Sequence, residues 1–169
     1  SEFILSLCEQ LMGAGKLSAK EKSIIDRCTA LCYHTYIQNG CEGTVPTLRD
    51  FHAELLRQPE TEAKDVALAI ELFTKGSLNT FAKPTNVDTN SRILCYDIRD
   101  LGKQLLPVGM LVVLDSVFNR IVRNRKLGKN TWVYIDEIYL LFQHEYSANF
   151  LFTLWKRVRK YGACCTGLT

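Results

Sequence analysis

Apolar residues recur at helical spacing through the first half of the chain, and this pattern predicts a series of amphipathic helices. The segment 2–12 predicts the first helix. Ser18, followed by Glu21 three residues later, forms a capping-box pattern and predicts that a second helix begins there and ends near Asn39. The predicted inner face of this second helix consists of Ile24, Ile25, Cys28, Leu31, Cys32 and Tyr36.

Two more helices are predicted before the middle of the chain. Thr47, with Asp50 three residues later, predicts the start of the third helix, and Pro59 predicts its end. The apolar segment 62–73 predicts a fourth helix, which Gly76 closes. The predicted buried stripe of the third helix consists of Phe51, Leu55 and Leu56.

The pattern changes after a loop at about 83–91 that is rich in Thr, Asn, Asp and Pro. Apolar runs then predict three strands, at 92–97, 131–135 and 163–169. The middle run is continuously apolar, which is typical of a parallel strand covered on both faces. Helices are predicted between the strands, at 108–125 and 147–161. The predicted inner face of the last helix consists of Phe150, Leu151, Leu154, Trp155 and Val158.

Strands that alternate with helices favour a parallel sheet with right-handed crossovers. The sequence therefore predicts an all-α subdomain at 1–84, followed by an α/β domain at 85–169.

Composition is that of a globular chain, with 47% hydrophobic and 23% charged residues among 169. The sequence has no apolar run near the roughly 20 residues of a membrane span, and the N-terminus shows no signal-peptide pattern. The seven cysteines include no C-x-x-C pair, so we interpret them as reduced thiols in a cytosolic protein. Cys28 and Cys32 lie on an apolar stripe, which favours core packing over zinc binding.

The net charge of +3 is too small to imply nucleic-acid binding by itself. The basic residues are nevertheless concentrated in two segments, 120–129 and 156–160.

Two adjacent carboxylates, Asp136 and Glu137, follow the apolar run of the middle strand. Ligands of open α/β sheets bind beyond the carboxyl ends of the strands. There one acid can hold Mg²⁺ through water, and a second can polarise a water for attack on a γ-phosphate. The pattern indicates the Walker B half of a P-loop ATPase core. The alternative is that the two acids simply begin a loop or helix.

Three segments carry a resemblance to a known family: 132–141, 152–162 and 165–169. They resemble the C-terminal ATPase domain of the VirB4 family, the ATPases of conjugative transfer and type IV secretion. Upstream, 46–51 and 75–81 resemble the helical subdomain of that family.

The resemblance implies a partial RecA-like core from a hexameric motor at the cytoplasmic face of the inner membrane. It implies ATP and Mg²⁺ as cofactors, with Asp136 as the water-mediated Mg²⁺ ligand and Glu137 as the catalytic base. It also implies that Thr169 contacts the nucleotide, and that Arg157 or Arg159 reaches a neighbouring subunit's γ-phosphate. Other type IV secretion components are the implied partners.

The sequence departs from the family pattern because it has no G-x-x-x-x-G-K-[ST] loop. We therefore expect the chain to be a fragment that hydrolyses ATP negligibly on its own.

Two other functions stay open at this point. The chain could belong to a DNA-translocating or helicase-type RecA-like ATPase, whose basic helix grips DNA. The sequence disfavours this because no aromatic residues are predicted to interleave with the cations on an exposed face. Alternatively, the helical subdomain could be an interaction module of a secretion complex.

Overall fold

The computed structural model describes residues 2–13, 15–143 and 145–169. It divides the chain into two compact units, Ser1–Cys95 and Tyr96–Thr169. The division falls about ten residues after the predicted boundary at 84, because the loop that follows the helices belongs to the first unit.

The first unit is helical. Its helices are α1 (Glu2–Met12), α2 (Ala19–Gln38), α3 (Leu48–Arg57) and α4 (Thr61–Thr74), followed by a 3₁₀ helix at Asn79–Ala82. Both predicted capping boxes are confirmed: Ser18 caps α2 together with Glu21, and Thr47 caps α3 together with Asp50. In each box the cap oxygen accepts from a backbone N–H while the acid accepts from the cap's own N–H, so two unpaired donors are satisfied.

One apolar core holds the helical unit together. Its fully buried side chains include Ile25 and Cys28 of α2, Leu55 of α3 and Val66 of α4. Burial raises the pKa of the Cys28 thiol to about 11, as expected of a thiol that packs as a small apolar group. Two residues predicted to be buried, Leu31 of α2 and Leu56 of α3, are exposed.

The second unit contains α5 (Leu106–Lys126), β1 (Thr131–Ile135), α6 (Glu145–Arg157) and β2 (Ala163–Gly167). Short 3₁₀ helices at Ile138–Gln143 and Val158–Tyr161 flank α6. The start of α5 is buried, as predicted, at Val108, Met110 and Leu111. Among the described residues, no helix is both long and apolar enough to cross a membrane.

The two strands form a parallel sheet in which Thr131 pairs with Ala163 and Ile135 with Gly167. One face packs against both helices: Val133 and Cys165 contact a cluster that includes Ile121 of α5 and Leu154 of α6. The other face is open, with Trp132 61% and Tyr134 67% exposed. The prediction that β1 is covered on both faces is therefore wrong, because α5 and α6 lie on the same side of the sheet.

The strand predicted at 92–97 is also absent, and this segment is irregular. Ile93 is 83% exposed, so its apolar character is not used in packing. Asp97 instead accepts hydrogen bonds from the backbone N–H and the guanidinium of Arg99, and this contact lowers the pKa of Asp97 to about 2. Such local bonds compete with sheet pairing. The described fold is thus mostly helical with a small two-stranded parallel sheet, which is a mixed α/β arrangement.

Candidate functional site

Asp136 and Glu137 lie at the carboxyl end of the sheet, directly after β1. The pairing of the two strands continues past their ends. Leu168 N donates to Ile135 O at 2.8 Å, and Ile138 N donates to Leu168 O at 2.9 Å. These two bonds hold the segment after β1 against the segment after β2. The structure therefore brings Asp136, Glu137 and Thr169 to the same end of the sheet, as their predicted shared role requires.

Glu137 has an unusual backbone conformation. Its φ is 50°, in the left-handed region that non-glycine residues seldom occupy. The turn is fixed on both sides, because Glu137 N donates to Asp136 Oδ1 at 3.1 Å and Leu140 N donates to Glu137 O at 2.9 Å. Strain of this kind persists where surrounding contacts determine the conformation, and it clusters at functional sites.

Tyr139 is a neighbour of Glu137 that the sequence did not single out. The negative charge of Glu137 raises the pKa of the Tyr139 hydroxyl, and a hydrogen bond between the two side chains adds to this effect. The phenol therefore lies where it can donate to the Glu137 carboxylate. An aromatic residue two positions after the acid was the only available signal, and it also fits ordinary packing.

Gly167 allows the close approach of the two segments. A Cβ atom at this position would lie 2.5 Å from Cδ1 and 3.2 Å from Cγ2 of Ile138. Ile138 therefore packs directly over the end of β2, where only glycine fits without displacement. This contact closes the turn that carries Asp136 and Glu137.

The chemistry available here is that of two exposed carboxylates and one phenol. Carboxylate oxygens are the ligands that Mg²⁺ prefers, and Mg²⁺ commonly takes only one or two of them from the protein. Within 2–13, 15–143 and 145–169, no group of three or more His, Cys, Asp or Glu side chains is placed to hold a metal.

Arg157 and Arg159 lie at the opposite end of the sheet. Arg157 is the last residue of α6 and Arg159 lies in the following 3₁₀ helix, so both precede β2. A strand of five residues separates this end from Asp136, which is roughly 15 Å at the usual rise of about 3.3 Å per residue. The structure does not bring the two arginines together with the two carboxylates.

Aromatic residues do interleave with cations on an exposed face of α6, contrary to the sequence-based expectation. Phe152 is 62% and Trp155 45% exposed, and Lys156 Nζ lies 4.1 Å from the centroid of the Phe152 ring. The sequence pattern places Trp155 on the predicted inner face of the last helix, and this prediction is wrong. In the structure Leu151, Leu154 and Val158 fill that face, and Trp155 lies outside it.

Comparisons of the chain with models of protein families, with curated protein sequences and with solved structures gave no match.

Proposed function

We propose that this chain carries the metal-and-water side of the ATP site in a VirB4-like motor ATPase. Such a motor hydrolyses ATP to drive conjugative transfer, type IV secretion and pilus assembly. The proposal rests on one arrangement above all: Asp136, Glu137 and Thr169 lie at the same, carboxyl end of a parallel strand pair. The resemblance of the surrounding segments to the VirB4 family supports the same assignment.

The residues present fit a nucleotide that arrives with its Mg²⁺ ion. Asp136 offers exposed carboxylate oxygens and would hold the ion through water. Glu137, beside Tyr139, would accept a proton from the attacking water. The bound ion would neutralise charge on the phosphates. The phosphate cradle itself is not supplied by this chain, which lacks a G-x-x-x-x-G-K-[ST] motif.

The wider assignment follows from the same resemblance. We place the two-stranded sheet in a RecA-like core and the motor in a hexameric ring at the cytoplasmic face of the inner membrane, with other secretion components as partners. Arg157 or Arg159 would act in a neighbouring subunit's site. Their distance from Asp136 within one chain agrees with a role in trans.

The test uses a chain that carries both this segment and a phosphate-binding loop. Glu137→Gln should lower ATP turnover about a hundredfold or more, since it removes a general base, while ATP binding is kept. Asp136→Asn should weaken Mg²⁺-dependent ATP binding. Asp65→Asn is the matched control, because Asp65 is an exposed acid on α4, in the other unit. It should change neither quantity.

Two results would contradict the proposal. One is wild-type turnover in the Glu137→Gln variant. The other is ATP hydrolysis by the 169-residue chain alone that Glu137→Gln does not affect.

A further inference from the structure

Phe152, Trp155, Lys156 and Arg159 form one line along α6 and the 3₁₀ helix that continues it. Spacings of three and four residues place Phe152, Trp155 and Lys156 on the same side of α6, and Arg159 follows in the 3₁₀ helix. All four are exposed. We call this line the α6 stripe.

Further cations lie where the strands of the sheet begin. α5 leads into β1 and α6 leads into β2, so parallel pairing brings the carboxyl ends of both helices to one end of the sheet. The two chain segments touch there: Thr131 N donates to Gly162 O at 3.2 Å, and the Arg125 side chain lies beside Gly162. We call this the basic end. Its exposed cations are Arg123, Arg125, Lys126, Lys129, Lys156, Arg157, Arg159 and Lys160.

No acid offsets this charge nearby in the sequence. The segments 116–135 and 146–169 contain no Asp or Glu. Within the part of the chain that the structure describes, none of the eight cations forms a salt bridge. A dense, unneutralised positive surface attracts polyanions.

Helix dipoles explain only part of this arrangement. Cations near the carboxyl end of a helix are favoured by its negative pole. That effect gives no reason for two large aromatic rings to stand in solvent beside them. Exposed rings interleaved with cations match the way single-stranded nucleic acids are held, with phosphates on the cations and bases stacked on the rings.

We infer that the α6 stripe and the basic end together bind single-stranded nucleic acid. Phe152 and Trp155 stack on bases, while the lysines of the basic end contact phosphates. A duplex keeps its base faces stacked internally, so it engages only the cations. The surface is separate from Asp136 and Glu137, so binding requires no nucleotide.

The test measures fluorescence anisotropy of a labelled thymidine strand of about 20 nucleotides, long enough for such a surface. The full 169-residue chain is used at low salt without ATP. Phe152→Ala with Trp155→Ala should weaken binding about tenfold or more. Lys126→Gln, Lys129→Gln and Lys160→Gln together should reduce the slope of log affinity against log salt by about two.

A matched control lies on the helical unit. On α4, the exposed cation Lys64 and the exposed apolar residue Leu68 are four residues apart, as are Phe152 and Lys156 on α6. Lys64→Gln with Leu68→Ala should leave binding unchanged. Phe152→Tyr with Trp155→Phe keeps both rings and should restore binding, which separates loss of stacking from loss of folding.

Several outcomes would overturn the inference. One is absence of binding at low salt. Another is an affinity for a duplex or an abasic strand equal to that for the thymidine strand. A third is displacement of the labelled strand by polyglutamate as readily as by unlabelled strand, which would indicate an acidic protein partner. Equal loss in the Lys64 and Leu68 control would also overturn it. So would light scattering in which the alanine pair changes the oligomeric state but not the affinity, since the stripe would then join copies of this chain.

Discussion

At the residue scale, Glu137 combines backbone strain with the proposed catalytic role. A left-handed conformation costs a non-glycine residue about 1–2 kcal/mol, and glycine recovers part of this at an entropic cost in the unfolded chain. We expect Glu137→Gly to raise the free energy of unfolding by about 0.5–1 kcal/mol, measured by urea denaturation. The same change should abolish turnover in the ATPase that carries a phosphate-binding loop.

Cys41 provides the comparison for this prediction. It is exposed and has a φ of 64°, yet it lies in a loop far along the sequence from the carboxylates. Cys41→Gly should stabilise the chain to a similar degree and leave turnover unchanged. A destabilised Glu137→Gly variant would show that the strain is not relieved by glycine and would contradict this account.

His52 makes folding sensitive to acid. The side chain is only 2% exposed, and its Nδ1 has no hydrogen-bond partner among the described residues. Burial lowers the pKa of His52, and the charge of Lys75 lowers it further. The unfolded chain therefore binds this proton more tightly than the folded chain does. The contribution of His52 to the free energy of unfolding is therefore fully present above the pKa of the unfolded chain, about 6.5, and is lost as the pH falls below that value.

The expected loss is at most about 1.4 kcal/mol per pH unit, the value for one proton. Urea denaturation between neutral pH and mild acid should show a shallower pH dependence in His52→Gln than in the parent chain. NMR titration of the His52 ring should give a midpoint below the usual histidine value of about 6.5. An identical pH dependence in the variant would contradict the prediction.

At the element scale, the turn after β1 depends on its contact with β2. Gly167→Ala would force Ile138 away from the strand end, and overpacking of this kind costs roughly 1–3 kcal/mol. We expect a loss of about 1 kcal/mol in the free energy of unfolding, because the Ile138 terminus can partly rotate. Gly102→Ala is the control, since a Cβ there meets no atom within 4 Å. Equal stability of the two variants would show that the contact is unimportant.

Elements that depend on local chemistry were predictable from sequence, and those that depend on partners were not. Ser18 and Thr47 predict the starts of helices, because a capping box depends only on two residues three positions apart. The run 92–97 has strand-forming residues, but a strand also needs a neighbouring edge. Trp155 shows the same limit at one position, because helical spacing alone does not decide which side of Leu154 meets the core.

The sequence predicted which residues form the candidate site, but not their backbone conformation or their contacts. An apolar run followed by two acids identified Asp136 and Glu137. Tyr139 lies only two residues from Glu137, but the turn between them also depends on β2 and Leu168, through the fit of Ile138 over Gly167 and the bond from Ile138 N to Leu168 O. Such contacts between segments 30 residues apart in sequence have no local signature.

At the scale of the whole molecule, the parallel pairing of β1 and β2 separates basic from acidic side chains in the second unit. Its basic clusters precede the strands and its carboxylate pair follows one, so they occupy opposite ends of one short sheet. In a parallel sheet, residues that precede the strands lie at one end, and residues that follow the strands lie at the other. Within one chain, the two proposed ligands, a nucleotide and a polyanion, would therefore bind at opposite ends of the sheet.

Both tryptophans of the chain, Trp132 and Trp155, belong to the second unit and are exposed to solvent. Their fluorescence is therefore an intrinsic optical reporter of that unit, to which the helical unit contributes no tryptophan. Trp132 reports on the open sheet face and Trp155 on the α6 stripe. Single Trp→Phe replacements would separate the two signals. A bound strand of bases should quench Trp155, whereas a protein surface laid on the sheet should shift the Trp132 emission to the blue.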